Sequence, residues 1–139
     1  MADVPARLRA YVLRRAAGHC EYCKAPAEIV LAFEIDHIIP EAAGGETTED
    51  NLCVACGPCN GSKYAFLTGI DPQTGDEARL YHPRTQIWDE HFAWNEHFTL
   101  VVGLSPCGRA TVARLKMNRE MIVRARQRWV LAGWQPPDS

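Results

Sequence analysis

A chain of 139 residues, 47% hydrophobic and 23% charged, can bury one compact core and is too short for two large domains. This is ordinary globular composition, which excludes a disordered chain, and no uninterrupted apolar run approaches membrane-spanning length. The formal net charge of -2 hides an uneven distribution: four arginines against one aspartate from Met1 to His19, seven acids without Lys or Arg from Ala27 to Asn51, and seven bases against one glutamate from Leu104 to Val130. Basic ends suit a polyanion, and an acidic centre suits a divalent cation.

In chain order, Met1 to Arg7 leads into an arginine-rich helix and not into an apolar secretory core, so the expected location is the cytosol. Pro5 to Ala17 is predicted helical, with Pro5 in its first turn and Gly18 beyond its end. Leu8, Val12 and Ala16 form the apolar stripe, and Arg7 and Arg14 lie opposite. Ile29 to Ile38 is rich in branched and aromatic residues and predicts a strand, stopped by Pro40, with a hairpin partner around Leu52 to Ala55. Glu41 to Asp50, with Gly44-Gly45, reads as a surface loop, and Gly57 to Phe66 as a helix.

Asp71 to Asp76 is a turn. The aromatic segment Trp88 to Trp94 is expected to precede a turn at Asn95-Glu96-His97 and a strand from Phe98 to Leu104. Ser105-Pro106 has the form of an N-cap followed by proline at the first helical position, which predicts a helix to Met117. A last helix from Asn118 to Ala132, capped by Asn118, should bury Ile122, Ala125 and Trp129, with Arg124 and Arg128 on one flank and Arg119 and Arg126 on another. The expected layout is one domain over 1–139, with a core over 18–66, an extension over 67–133 and a tail over 134–139.

Four of the six cysteines form two Cys-x-x-Cys pairs, Cys20/Cys23 and Cys56/Cys59. In a reducing compartment such pairs point to a tetrahedral zinc site more than to disulfides. Cys53 has the spacing to compete as a ligand but is read as a small buried residue, and Cys107 as core; His19, His82, His91 and His97 are read as surface or structural residues. A four-thiolate zinc has no open position and is structural, so any catalysis needs a second ion. Between the knuckles lies Asp36-His37, a potential metal ligand beside a potential general base. Strand alternation points the two to opposite faces unless the strand bends or ends there. The oxygens of Asp36 and Asn60 suit magnesium or manganese, which would leave His37 to take a proton from water.

Cys-x-x-Cys, Asp36-His37-Ile38-Ile39-Pro40, Gly44-Gly45, Asn51-Leu52 and Cys56-x-x-Cys59-Asn60-x-x-Lys63 resemble the signature of the HNH endonucleases, the ββα-metal or His-Me finger nucleases, over roughly Gly18 to Tyr64. The resemblance implies an α+β fold: a ββα-metal core held by a four-cysteine zinc site, an N-terminal helix, and a C-terminal hairpin with two helices. It also implies hydrolysis of DNA phosphodiester bonds, with RNA not excluded, by a monomer or homodimer. By this resemblance His37 is the general base, Asn51 orients its imidazole, and Asp36 and Asn60 hold the catalytic Mg2+ or Mn2+. Where many members carry histidine at the last position, this chain has Asn60. The segment containing Leu80 to Arg84, Trp88, Gly108 to Val112 and Arg126 to Trp129 is similar to the extension of small stand-alone bacterial HNH proteins. Lys63, Arg84 and Arg109 are the candidate nucleic-acid contacts. The rivals are a zinc-knuckle nucleic-acid-binding module without catalysis, and a redox or zinc sensor using Cys53 and Cys107.

Overall fold

The computed structural model describes residues 3–27 and 33–137. Two compact units form, one from Met1–Leu67 with His82–Thr85, the other from Thr68–Tyr81 with Gln86–Ser139.

In the first unit, helix α1 spans Ala6–Arg15, two residues short of the predicted end. Val12 is fully buried against Leu52 and Val54, and Val4, Leu8, Ala16, Phe33 and Ile35 complete the cluster. Strands β1 (Phe33–His37) and β2 (Leu52–Cys56) pair antiparallel, with Asp36 opposite Cys53 and His37 opposite Leu52. The first residues of the expected strand, Ile29 to Ala32, lie outside the described residues. Alternation then divides the hairpin. Phe33 and Ile35 face α1, whereas Asp36 is buried on the other side beneath helix α2, Gly57–Lys63. The loop between the strands contains two single-turn 3-10 helices, Glu41–Ala43 and Glu49–Asn51. Strand, loop, strand and helix together are the ββα arrangement.

The second unit contains a hairpin that sequence patterning missed, β3 (Thr68–Ile70) with β4 (Glu77–Arg79), on either side of the predicted Asp71 to Asp76 turn. Asp71, fully buried, accepts hydrogen bonds from Gln73 N and the Thr74 hydroxyl and both guanidinium bonds of Arg109 at 2.9 Å. Arg109, first among these partners, holds the Asp71 carboxyl well below the usual carboxylate range. A one-turn helix α3 (Trp88–His91) runs into β5 (Phe92–Trp94), which pairs with β6 (Val101–Gly103). Helix α4, Pro106–Leu115, is capped as expected, with Ser105 Oγ accepting the Gly108 N–H at 3.0 Å.

Helix α5 begins at Glu120 and runs to Leu131, and Asn118 is not its cap. Asn118 instead accepts the Val101 N–H and donates to the Val101 carbonyl, which ties it to the strand edge. Arg126, expected on an exposed flank, is 1% exposed. Its guanidinium reaches the carbonyls of Met117 and Thr99 and Asn118 Oδ1, and stands 5.2 Å from the Trp94 ring centroid. Five donors in a fixed fork let Arg satisfy three acceptors without water, which is how a buried cation is tolerated. Trp134, placed in the expected tail, packs edge-on against Trp94 and Trp129 at 5.9 and 5.6 Å. Among the described residues no helix is long and apolar enough to cross a membrane.

Candidate functional site

The four-cysteine cluster is built first by the backbone. The knuckle after α1 closes through Cys20 N–H to Ala25 O, Lys24 N–H to Cys20 O and Ala27 N–H to Gly18 O, and the Cys23 N–H points at Cys20 Sγ at 3.5 Å. The second pair sits where β2 becomes α2: Cys56 precedes the helix and Cys59 lies within its first turn. All four sulfurs lie within 4.8 Å of one another, and all four residues are buried. Hydrogen bonds from Cys20, Cys23 and Cys59 hold the Cys56 thiol well below the ordinary thiol range. A cluster of this size and donor set, closed to solvent, fits a structural zinc with no position left for substrate. Cys53 stays outside it: burial, reinforced by the Asp36 charge, pushes its thiol up and keeps it protonated.

The knuckle also reaches into the ββα core. Tyr22, between the two ligands and fully buried, donates its hydroxyl to Asp36 Oδ2 at 2.8 Å. Burial raises the Tyr22 hydroxyl well above its usual range, so it acts as a donor. Glu21 accepts the Val54 N–H at 2.8 Å and pairs with Arg84. Arg84 is therefore a strut between the knuckle and the 82–85 segment, and not a free cation. Arg109, in the second unit, is likewise committed to Asp71.

Asp36, 5% exposed, meets the Lys63 ammonium at 3.1 Å, and the same ammonium donates to the His37 carbonyl at 3.2 Å. Burial raises the Asp36 carboxyl, and Lys63 opposes that shift. Lys63, expected to approach a phosphate, is 1% exposed and spends its charge inside the protein. One turn earlier on α2, the Asn60 amide donates to Glu34, which lies two residues before Asp36 on the same face of β1. Asp36 and Asn60 thus share a face but each has its own partner. As arranged they do not fit a shared Mg2+ or Mn2+, because an ammonium already stands at the carboxylate.

His37 ends β1 with its side chain 11% exposed, and its Nε2 lies 2.9 Å from Thr47 Oγ1 and 3.9 Å from Glu41 Oε1. The hydrogen bonds of the Asn51 side chain go to backbone and not to the ring. Its side chain accepts the Ile39 N–H at 2.8 Å and donates to the carbonyls of Ile39 and Glu46 at 3.0 and 2.8 Å, clamping both ends of the loop. The clamp draws the loop so close that a Cβ at Gly45 would lie 1.7 Å from the Ile39 oxygen, so only glycine fits. Orientation of His37 is therefore indirect, through backbone. Arg15, unnoticed in the sequence, braces the clamp from α1 by donating to the carbonyls of Glu49 and Leu52 on either side of Asn51. No local pattern announces that bond. Tyr22 carried a weak signal, an aromatic between two zinc ligands.

Residues 20–66 match the family model described as HNH endonuclease. The chain carries an HNH domain. No curated protein matches the chain. The HNH match begins at the first zinc ligand and ends just past α2, so it covers the ββα core and the zinc centre.

The buried Asp36–Lys63 pair makes a direct prediction. Replacing Lys63 with methionine leaves a desolvated carboxylate without its cation, and breaking such a pair costs about 3–5 kcal/mol. Urea unfolding of Lys63→Met should show that loss, and Asp36→Leu combined with Lys63→Met should recover most of it. A single variant as stable as wild type would mean that Lys63 is not the counter-ion.

Proposed function

We propose that the chain is an endonuclease that hydrolyses DNA phosphodiester bonds, with His37 taking the proton of the attacking water. One observation supports this most: Asn51 ties the loop after His37 at three points, so the imidazole stands at a fixed, mostly buried strand end beside Thr47. A positioned base is what general-base catalysis needs, since the water must be met in a set geometry. With Nε2 engaged by Thr47, Nδ1 is the nitrogen that receives the proton in this reading. Water then attacks phosphorus and the 3′ oxygen leaves.

The Mg2+ or Mn2+ that the resemblance implies at Asp36 and Asn60 does not fit beside the Lys63 ammonium, so no step of this reading runs through it. Phosphate contacts fall to the exposed arginines of α1, Arg7, Arg9 and Arg14, which bind without reading sequence. Reduced cysteines are needed to hold zinc, in keeping with a cytosolic protein. Lys63 is also what favours a second reading, a zinc-stabilised nucleic-acid-binding module without catalysis.

Supercoiled plasmid separates the two readings. Protein with verified zinc content should convert it to nicked circles in Mg2+ or Mn2+, and a single His37 per chain suits nicking by a monomer. Protein that shifts DNA or RNA on a gel but leaves both intact in either metal would establish the binding module.

A further inference from the structure

The Nε2 of His37 faces two side chains of the loop that follows it, Thr47 through Oγ1 at 2.9 Å and Glu41 through Oε1 at 3.9 Å. Both come from the stretch that reads in the sequence as a plain surface loop. Backbone bonding brings each of them to the ring. Glu41 opens the 3-10 helix that follows Pro40, and the Ala43 and Gly45 N–H groups both donate to the Pro40 carbonyl, at 2.9 and 3.0 Å. At the far end of the loop Thr47 adjoins Glu46, whose carbonyl accepts from the Asn51 amide at 2.8 Å. The same amide side chain holds Ile39, two residues before Glu41. One clamp therefore sets the backbone from which both groups reach His37.

The chemistry of these two groups decides which ring nitrogen bears the proton. A neutral imidazole has one donor nitrogen and one acceptor nitrogen, and a carboxylate only accepts. A lone pair on Nε2 would be repelled by Glu41, whereas an Nε2–H is attracted to it and donates to the Thr47 oxygen. The lone pair then lies on Nδ1. Glu41 matters more once Nδ1 has taken a proton, because the ring is then a cation with a carboxylate 3.9 Å from its Nε2. In a catalytic triad a third group likewise fixes the tautomer of the base and stabilises its imidazolium without taking the proton.

We propose that Thr47 and Glu41 are positioning residues for His37, Thr47 fixing the tautomer with the proton on Nε2 and Glu41 stabilising the imidazolium that forms when Nδ1 takes the proton of water. The proposal rests on the nuclease reading and states how the base of that reading is made ready.

Two readouts test it. Long-range proton–nitrogen correlation spectra of isotopically labelled, zinc-loaded protein distinguish the tautomers, with the His37 signals identified by their loss in His37→Ala. Wild type with a neutral ring should carry the proton on Nε2, and Thr47→Val should show a mixture. In plasmid cleavage Thr47→Val should lower kcat about 10- to 100-fold, the worth of one hydrogen bond to a charged group, and Thr47→Ser should cleave like wild type. Glu41→Gln should lower kcat about fivefold, as set by the attraction of two unit charges about 4 Å apart in water. KM, zinc content and thermal midpoint should hold in all three. Wild type protonated on Nδ1, or a Thr47→Val variant with wild-type kcat, overturns the positioning role while cleavage by wild type still upholds the nuclease reading. Equal loss in Thr47→Ser and Thr47→Val overturns it as well, since serine keeps the acceptor. Wild-type protein that cleaves no nucleic acid overturns both.

Discussion

Stripping zinc from Cys20, Cys23, Cys56 and Cys59 is expected to unfold the first unit. The fully buried apolar side chains beside α1 and the hairpin are few, Val12, Leu52 and Val54 at the centre, so hydrophobic burial alone is a small stabilising term. A structural zinc contributes about 10–16 kcal/mol in small metallo-domains, as much as the whole stability of a typical fold. The ligands also sit at distant points of the chain, one pair before β1 and one at the β2–α2 junction, so the metal closes the loop that contains Asp36, His37 and Asn51. Far-UV circular dichroism should therefore lose the signal of α1 and α2 on treatment with a zinc chelator under reducing conditions. Proteolysis should become rapid between residues 18 and 66, and Cys56→Ser should behave alike. Unchanged ellipticity in zinc-free protein would refute a folding role for the cluster.

The four-cysteine cluster was legible because ligand chemistry is local: Cys-x-x-Cys needs only a tight turn and two thiols. The hairpin of β1 and β2 was legible for a similar reason, since branched residues on both strands alternate against one loop. The cap at Ser105 follows from two adjacent residues. The hairpin of β3 and β4 escaped because each strand has three residues, too few to show a period, and Gly69 and Glu77 argue against strand locally. Arg126 was placed outside on account of its charge, although Ile122, Arg126 and Trp129 are the positions that keep helical spacing. Periodicity was the better guide there, because Asn118 and two carbonyls had been arranged to receive the guanidinium.

Around His37 the residue types were readable and the pairings were not. Sequence order suggested that Asp36, Asn60 and Lys63 would gather about a metal and a phosphate. In three dimensions Asp36 sits under α2, where desolvation makes a cation partner mandatory, and Lys63, one turn beyond Asn60, is the cation within reach. Asn60 is left facing Glu34. Pairing of this kind depends on which face of β1 the helix covers, and that is a matter of tertiary packing around the cluster of Cys56 and Cys59, not of the motif itself.

Replacing His37 with alanine should lower cleavage about 100- to 10,000-fold, the contribution of a positioned general base, without loss of zinc or of fold. The imidazole meets Thr47 and Glu41, both in the loop and outside the zinc ligands and the α1 cluster. Its removal therefore leaves the core intact. Asn51→Ala separates position from chemistry. That variant keeps the imidazole but strips the partners from the Ile39 N–H and from two carbonyls, about 1–3 kcal/mol for each group left buried and unsatisfied. It should lose both thermal stability and activity, whereas His37→Ala should lose activity alone. Supercoiled-plasmid conversion by the two variants, each with measured zinc content and melting temperature, decides the matter. If His37→Ala cuts as fast as wild type, the base lies elsewhere, and the fixed strand end at His37 serves the fold and not the reaction.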